Sequence, residues 1–263
     1  MLPHIEMIGK TYGPLPAWAL MFLLIFLRYA VLASIFYFFF YLLFRKRFFR
    51  FKIQEKYPRA AEIGREIGYS LATAAIFASM AFGVFALRKM GLGKLYFDIG
   101  ERGWGYYAFS LAFVIVLHDA YFYWIHRLMH HPRLFRHFHR VHHLSHNPTP
   151  YTAFSFHPLE AIVEFGIVPI IALFMPIHSS ALFIFTLWSI AFNVFGHTGF
   201  EFAPSGATRH PIWKWLGTPT HHNLHHQQAN YNFSLYFNWW DRWMGTNNPR
   251  YDEVFENVKR RPK

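Results

Sequence analysis

The sequence predicts an all-α integral membrane protein with about four transmembrane helices or helical hairpins and a helical cap on the cytoplasmic side. Three observations predict it. Of 263 residues, 54% are hydrophobic and 21% aromatic. Only 15% are charged, against roughly 25% in soluble proteins. Finally, long apolar runs end in clusters of Lys and Arg, as membrane spans do at the cytoplasmic face.

The first span is expected at 17–44, an apolar run interrupted only by Arg28. A charge that deep in a span must either snorkel or face another helix. Arg45, Lys46, Arg47, Arg50 and Lys52 follow directly, which predicts a cytoplasmic position from residue 45 onward and an outer N-terminus. That N-terminus lacks the basic start and small-residue cleavage site of a signal peptide. Residues 53–66 read as polar and interfacial, and a second span is expected at 67–87, rich in small residues that permit close helix packing. A third, at 105–126, brings the chain back to the cytoplasm. Pro132 suits the first turn of a helix over 133–146. Residues 147–152 read as a turn or linker. The run 159–196, broken at 175–178, is expected as two spans or one hairpin. Residues 127–158 and 197–250 would form the cytoplasmic cap, and one membrane domain, 1–263, is the simplest organisation. The formal net charge of +12 comes with no nucleic-acid-reading motif, so it predicts a face for anionic lipid and no nucleic-acid partner. The absence of cysteine excludes disulfides and thiolate metal sites.

Histidine carries the chemistry. His126 and His130 stand four apart, so on a helix both rings share a face. His139, His142 and His143 are spaced H-x-x-H-H, and His222, His225 and His226 repeat that spacing. The predicted topology brings all three sets to one side, just below the bilayer. Eight imidazoles exceed what one zinc needs, so a pair of metals is the economical explanation. An imidazole set without thiolates favours a first-row transition metal over calcium or magnesium. A membrane zinc hydrolase would need a general base between its ligands, as in H-E-x-x-H, which is absent. In a metal transporter the histidines would sit more naturally within spans or in a loose loop.

The boxes H-R-L-M-H (126–130), H-R-V-H-H (139–143) and H-N-L-H-H (222–226) resemble those of the fatty acid hydroxylase/sterol desaturase superfamily of membrane di-iron enzymes. The flanks P-T-P-Y-T-A-F-S-F-H-P-L-E (148–160) and N-Y-N-F-S-L-Y-F-N-W-W-D-R-W-M-G-T (230–246) look most like its C-5 sterol desaturase branch. The resemblance implies two irons held by His126, His130, His139, His142, His143, His222, His225 and His226, with His197 from the helix before the third box. It leaves Asn193 open as a further ligand, since some relatives carry a histidine there. Around this set, His131 competes with His130, which the i+4 spacing favours. His118 reads as a packed residue near the site, and Asp119 as a carboxylate that could orient a ligand imidazole. His157 and Glu160 read as structural flank residues, and His137, His146, His210 and His221 as ordinary surface or capping residues.

The resemblance further implies O2-dependent hydroxylation or desaturation of a lipid C–H bond, sterol-like by the flanks. Electrons would come from a separate donor, a cytochrome b5-like protein, a ferredoxin or a reductase, since no fused haem domain is visible. The active site would face the cytoplasm, from the endoplasmic reticulum of a eukaryote or the inner membrane of a bacterium. The aromatic helices 105–125 and 179–196 either line a substrate channel or face lipid.

Overall fold

The computed structural model describes residues 2–261. It is helical apart from one small parallel pair, Leu95–Tyr96 (β1) with Ile177–His178 (β2). Four helical segments are long and apolar enough to cross a membrane: Pro14–Leu43, Ala60–Lys89, Gly103–Met129 and Ser179–Gly196.

A short helix, Leu2–Tyr12 (α1), precedes the first span, Pro14–Tyr37 (α2), which runs on as a π-helix over Phe38–Leu43. Pro14 sits where its missing N–H costs nothing, at the start of α2. Ala17, Met21, Ile25, Tyr29 and Ala33 are buried at steps of four, whereas Leu23, Leu27, Val31 and Ile35 point outward. One stripe therefore packs against protein and the opposite face is left for lipid. Arg28 faces another helix: its Nη1 donates to Thr186 Oγ1 at 3.2 Å.

After the turn Arg45–Phe48 (α3), Ala60–Lys89 (α4) begins well before the expected 67. Glu62 accepts the Arg59 N–H at 2.7 Å, which starts the helix in the polar stretch. The same stretch is not simply interfacial. Glu66 is fully buried, accepting from Ser145 Oγ at 2.7 Å and Thr149 Oγ1 at 2.5 Å. It ties the segment after the second histidine box to α4. Ser70, Ala74 and Ala78 then give α2 a flat surface to approach.

Gly103–Met129 (α5) delivers the first histidine box at its C-terminal end. The single helix expected over 133–146 is instead two, Pro132–Phe138 (α6) and Arg140–His143 (α7), broken at His139, whose φ is −116°. Pro132 does open α6. The stretch 159–196 forms a hairpin of short pieces: Pro158–Phe165 (α8) and Ile167–Phe174 (α9), then Ser179–Gly196 (α10). α8 and α9 run on through Gly166, itself helical at φ −53°, from Glu160 beside His139 to Ala172, whose carbonyl accepts from the Lys94 N–H at 2.7 Å next to β1 and β2. They meet at Gly166, where a Cβ would lie 2.8 Å from Tyr121 Oη and 2.9 Å from the Val163 carbonyl. Glycine lets this joint seat closely against α5. Pro219–Gln228 (α11) carries the third box, and Trp239–Trp243 (α12) and Tyr251–Lys259 (α13) close the fold.

Candidate metal centre

Nine imidazoles converge where the ends of α5 and α10 meet α6, α7 and α11. They form two groups. His126, His130, His139, His143 and His225 make one, and His142, His197, His222 and His226 the other; within each, the ligand nitrogens all lie within 4.8 Å of one another. The nine are those the boxes and Gly196-His197 nominate.

The grouping does not follow the boxes. His142 and His143 are adjacent yet belong to different groups, as are His225 and His226. Successive residues on a helix point about 100° apart. The two rings of each pair are accordingly turned by 84°. Each of the two H-x-x-H-H boxes thus feeds both groups, while the first box serves only the five-histidine group and His197 only the four-histidine one.

The outer nitrogens show how the rings are held. His126 Nδ1–H donates to the Phe233 carbonyl at 2.8 Å, His225 Nδ1–H to Tyr231 at 2.7 Å and His197 Nδ1–H to Asn193 at 2.7 Å. His139 Nδ1–H donates to Glu160 Oε1 at 2.5 Å. His142 Nδ1 lies farther from its acceptor, 3.4 Å from the Ser155 carbonyl, and His143 and His226 have no partner at Nδ1 among the described residues. A carbonyl only accepts, so His126 carries its proton on Nδ1 and presents a bare Nε2 inward; the carboxylate does the same for His139. Yet these two Nε2 atoms lie 2.9 Å apart, lone pair to lone pair. In the second group, the bare His197 Nε2 lies 2.9, 3.1 and 3.2 Å from Nε2 of His222, His226 and His142. Such inward-facing nitrogens fit cations and can bind metal.

Electrostatics agree. Burial, reinforced by the neighbouring imidazoles, holds His139, His142, His222, His225 and His226 well below the ordinary imidazole range. Burial likewise lowers His143 to about 3 and His197 to about 4. All stay neutral near pH 7, the form that binds metal.

The other nominated residues fall outside the two groups. His118 is packed, with Nδ1 2.7 Å from Tyr236 Oη. His131 and His157 cap helices, accepting from Arg133 N–H and Leu159 N–H. Asn193 donates its side-chain amide to the Ala153 carbonyl at 2.8 Å, while its backbone carbonyl orients His197. Asp119 accepts from the backbone of Tyr236 and Phe237, so it fixes a loop instead of a ligand. The orienting carboxylate is Glu160, on α8.

Two further residues that sequence reasoning passed over build the support. Asn232 has φ 61°, a left-handed conformation that asparagine tolerates, and its flanking residues Tyr231 and Phe233 supply the carbonyls for His225 and His126. Asp241 accepts from the backbone of Phe233 and Ser234 at 2.9 Å and holds that turn in place; its Oδ2 is also 3.4 Å from His221 Nε2. Positions 230–246 carry both signals, but spacing alone does not reveal them.

An apolar cavity in two chambers, which share Ile25, Arg28 and Phe165 in their walls, lies in the bundle beside the histidines. Its inner chamber, about 90 Å³, reaches Asn193 and Phe156, whose ring lies 5.2 Å from that of His142. Its outer chamber, about 410 Å³, extends to Phe85, Leu95 and Ser179 at the far end of the helices. The aromatic helices divide their roles: Phe122 and Phe185 line the cavity, while Phe109, Phe113 and Trp124 face outward. Residues of α2 and α4 complete the wall.

A family model described as fatty acid hydroxylase matches residues 111–246. The chain is 29% identical over 214 residues to a Delta(7)-sterol 5(6)-desaturase of Gibberella zeae, a match covering 78% of this chain and 64% of that protein. It is 28% identical over 188 residues to lathosterol oxidase of Rattus norvegicus, covering 69% of this chain and 60% of the relative. A Delta(7)-sterol 5(6)-desaturase of Leptosphaeria maculans is 32% identical over 178 residues, 65% of this chain and 46% of that protein. The chain thus spans between 46% and 64% of the length of these relatives. No solved structure matches it. With the three histidine boxes inside a matched region of more than half its length, the chain belongs to the fatty acid hydroxylase family.

Proposed function

We propose that this protein is a membrane oxidoreductase that hydroxylates or desaturates a C–H bond of a lipid, sterol-like by its relatives, using O2 and electrons from a separate donor protein. The observation that carries the reading is the pair of all-imidazole groups, in each of which the ligand nitrogens converge to within 4.8 Å of one another. Two irons held there, by His126, His130, His139, His143 and His225 on one side and His142, His197, His222 and His226 on the other, would supply the O2 and C–H chemistry.

The chain's own contribution is positional. Glu160, the Asn232 turn and the Asn193 carbonyl fix the rings before any ion arrives. The apolar cavity excludes water and leads a lipid tail or ring system from the bilayer to the histidines. The basic segment after the first span lies at the histidine end, since Ile53 N–H donates to the Gly199 carbonyl at 2.9 Å, two residues beyond His197. By the positive-inside rule that end faces the cytoplasm, where a soluble or membrane-anchored electron donor would meet it.

Metal analysis and O2 consumption of detergent-purified protein test the reading. Iron at about two ions per chain, reducible by dithionite and re-oxidised by O2, is the expected result. Zinc from the cells' own supply, with no iron and no O2 use, contradicts it.

A further inference from the structure

Two segments beyond the last span reach back to the level of the membrane helices. α5 carries an exposed tryptophan near each end, Trp104 (71% exposed) and Trp124 (48% exposed). They stand about 30 Å apart along the axis, the thickness of a bilayer core, and tryptophan concentrates at both bilayer interfaces. Trp124 therefore marks the inner boundary. Asp119 lies about 8 Å deeper on the same helix. Its carboxylate accepts from the Tyr236 N–H at 2.8 Å and the Phe237 N–H at 3.2 Å, so the backbone there runs on the membrane side of that boundary. The Tyr236 ring also lies 5.9 Å from that of Trp188 on α10, which seats this piece of chain between α5 and α10.

Irregular backbone is tolerated at such a depth only where its polar groups are paired. Gly217 N–H donates to the Tyr236 carbonyl at 2.8 Å and Asn238 N–H to the Trp215 carbonyl at 3.0 Å. That pairing brings 212–217 to the same level. α12 follows, and its Trp240 ring packs 5.7 Å from Tyr123 and 6.0 Å from Trp124.

The outer surface of these segments is apolar. Ile212, Trp213, Leu216, Trp243 and Met244 are exposed, Ile212 by 71% and Trp243 by 60%. The patch continues the outward face of α5, where Phe109, Phe113 and Trp124 point away from protein. Lys214 and Arg242 stand beside it, their charges 4.8 and 5.9 Å from the Trp215 ring. Large apolar rings with cations alongside match the boundary between acyl chains and phosphate headgroups.

We propose that residues 212–216 and α12 form a lip embedded in the inner headgroup–acyl boundary of the bilayer, with phospholipid and no partner protein covering it. α12 joins this contact to the histidines. Asp241, buried in the same short helix, accepts from the Phe233 and Ser234 N–H groups at the turn whose carbonyls hold His126 and His225. The lip does not depend on the reaction assigned to the centre.

The chain has no cysteine, so single cysteines can be labelled without background. Trp213→Cys and Trp243→Cys, each carrying a small environment-sensitive fluorophore, are placed as full-length protein in phospholipid nanodiscs. Quenching by lipid brominated near the top of its acyl chains is compared with quenching by aqueous iodide. Phe109→Cys, outward-facing on α5, is the lipid reference, and Arg250→Cys, in an exposed ion pair, is the water reference. Brominated lipid should quench both lip labels within about twofold of Phe109→Cys, and iodide should quench them at least about threefold less than Arg250→Cys. Should a tryptophan variant not fold, Ile212→Cys and Met244→Cys carry the same comparison. Labels that iodide reaches as readily as Arg250→Cys would overturn the proposal. So would labels shielded from both quenchers, as a second copy or a partner protein on the patch would leave them.

Discussion

The two imidazole groups are built from the same helices but supported differently. In the five-histidine group, three rings are fixed at Nδ1: His126 and His225 by the carbonyls on either side of Asn232, and His139 by a buried carboxylate. In the four-histidine group only His197 has a short anchor, the Asn193 carbonyl; His142 sits 3.4 Å from its acceptor and His226 has none. Both groups lie beside the cavity, the four-histidine one through Phe156 and Asn193 and the five-histidine one through Phe122, whose ring lies 4.9 Å from that of His126. The contrast teaches a division of labour. A metal in the first group would be fixed by a negative charge at one remove, whereas one in the second would have fewer ligands and looser rings.

Removing one ring from each group should have the largest effect. A His142→Ala, His225→Ala double variant is expected to lose nearly all bound metal, measured by mass spectrometry of the purified protein. Retention of wild-type metal would mean that the two groups are not where metal binds. Next, Glu160→Gln removes the charge behind His139 and should weaken metal at the five-histidine group about 10- to 100-fold. Chelator titration should then show one class of metal leaving early; uniform weakening of both classes would erase the contrast.

Acidification comes third. The buried imidazoles stay neutral in the fold down to about 3 for His143 and about 4 for His197, while in the unfolded chain they take protons near the ordinary value of 6.5. Protons therefore favour the unfolded state, and stability should fall as pH drops from about 6.5 towards 4. Thermal unfolding across that range checks it, and a midpoint that rises on acidification would contradict the burial of these rings. Gly166→Ala should cost about 1–3 kcal/mol, because its Cβ meets Tyr121 and the Val163 carbonyl, and should disturb Glu160 through α8. Its effect on metal retention should accordingly fall on the five-histidine group. The smallest effect is expected of His118→Gln, since His118 packs against Tyr236 outside both groups; metal content should stay within about twofold of wild type.

Much of this was legible in the chain of letters, and what escaped has physical causes. The spans follow from hydropathy because lipid imposes a length; eight of the histidines follow from spacing because a helix turns repeated residues to one side, and His197 follows from the family resemblance. The helix boundaries escaped where polar residues continue a helix below the apolar run, as at Glu62 and Glu66. The division of His142 from His143 is implicit in helical geometry, but which group each joins depends on how α7 docks against α11. Long-range supports were the least visible. Asp119, beside the first box, looked like the orienting carboxylate, yet it serves the backbone of Tyr236 and Phe237. Glu160 takes that part from a different helix, and only tertiary packing brings it within 2.5 Å of His139.

The central claim, that neighbouring histidines serve separate centres, is tested most directly by comparing His142→Ala with His143→Ala. Iron loaded as 57Fe and read by Mössbauer spectroscopy distinguishes the sites by their environments. The account predicts that each single variant disturbs a different iron signal and keeps about half of the wild-type metal. Loss of the same signal in both variants would contradict it, because the two adjacent rings would then share one centre.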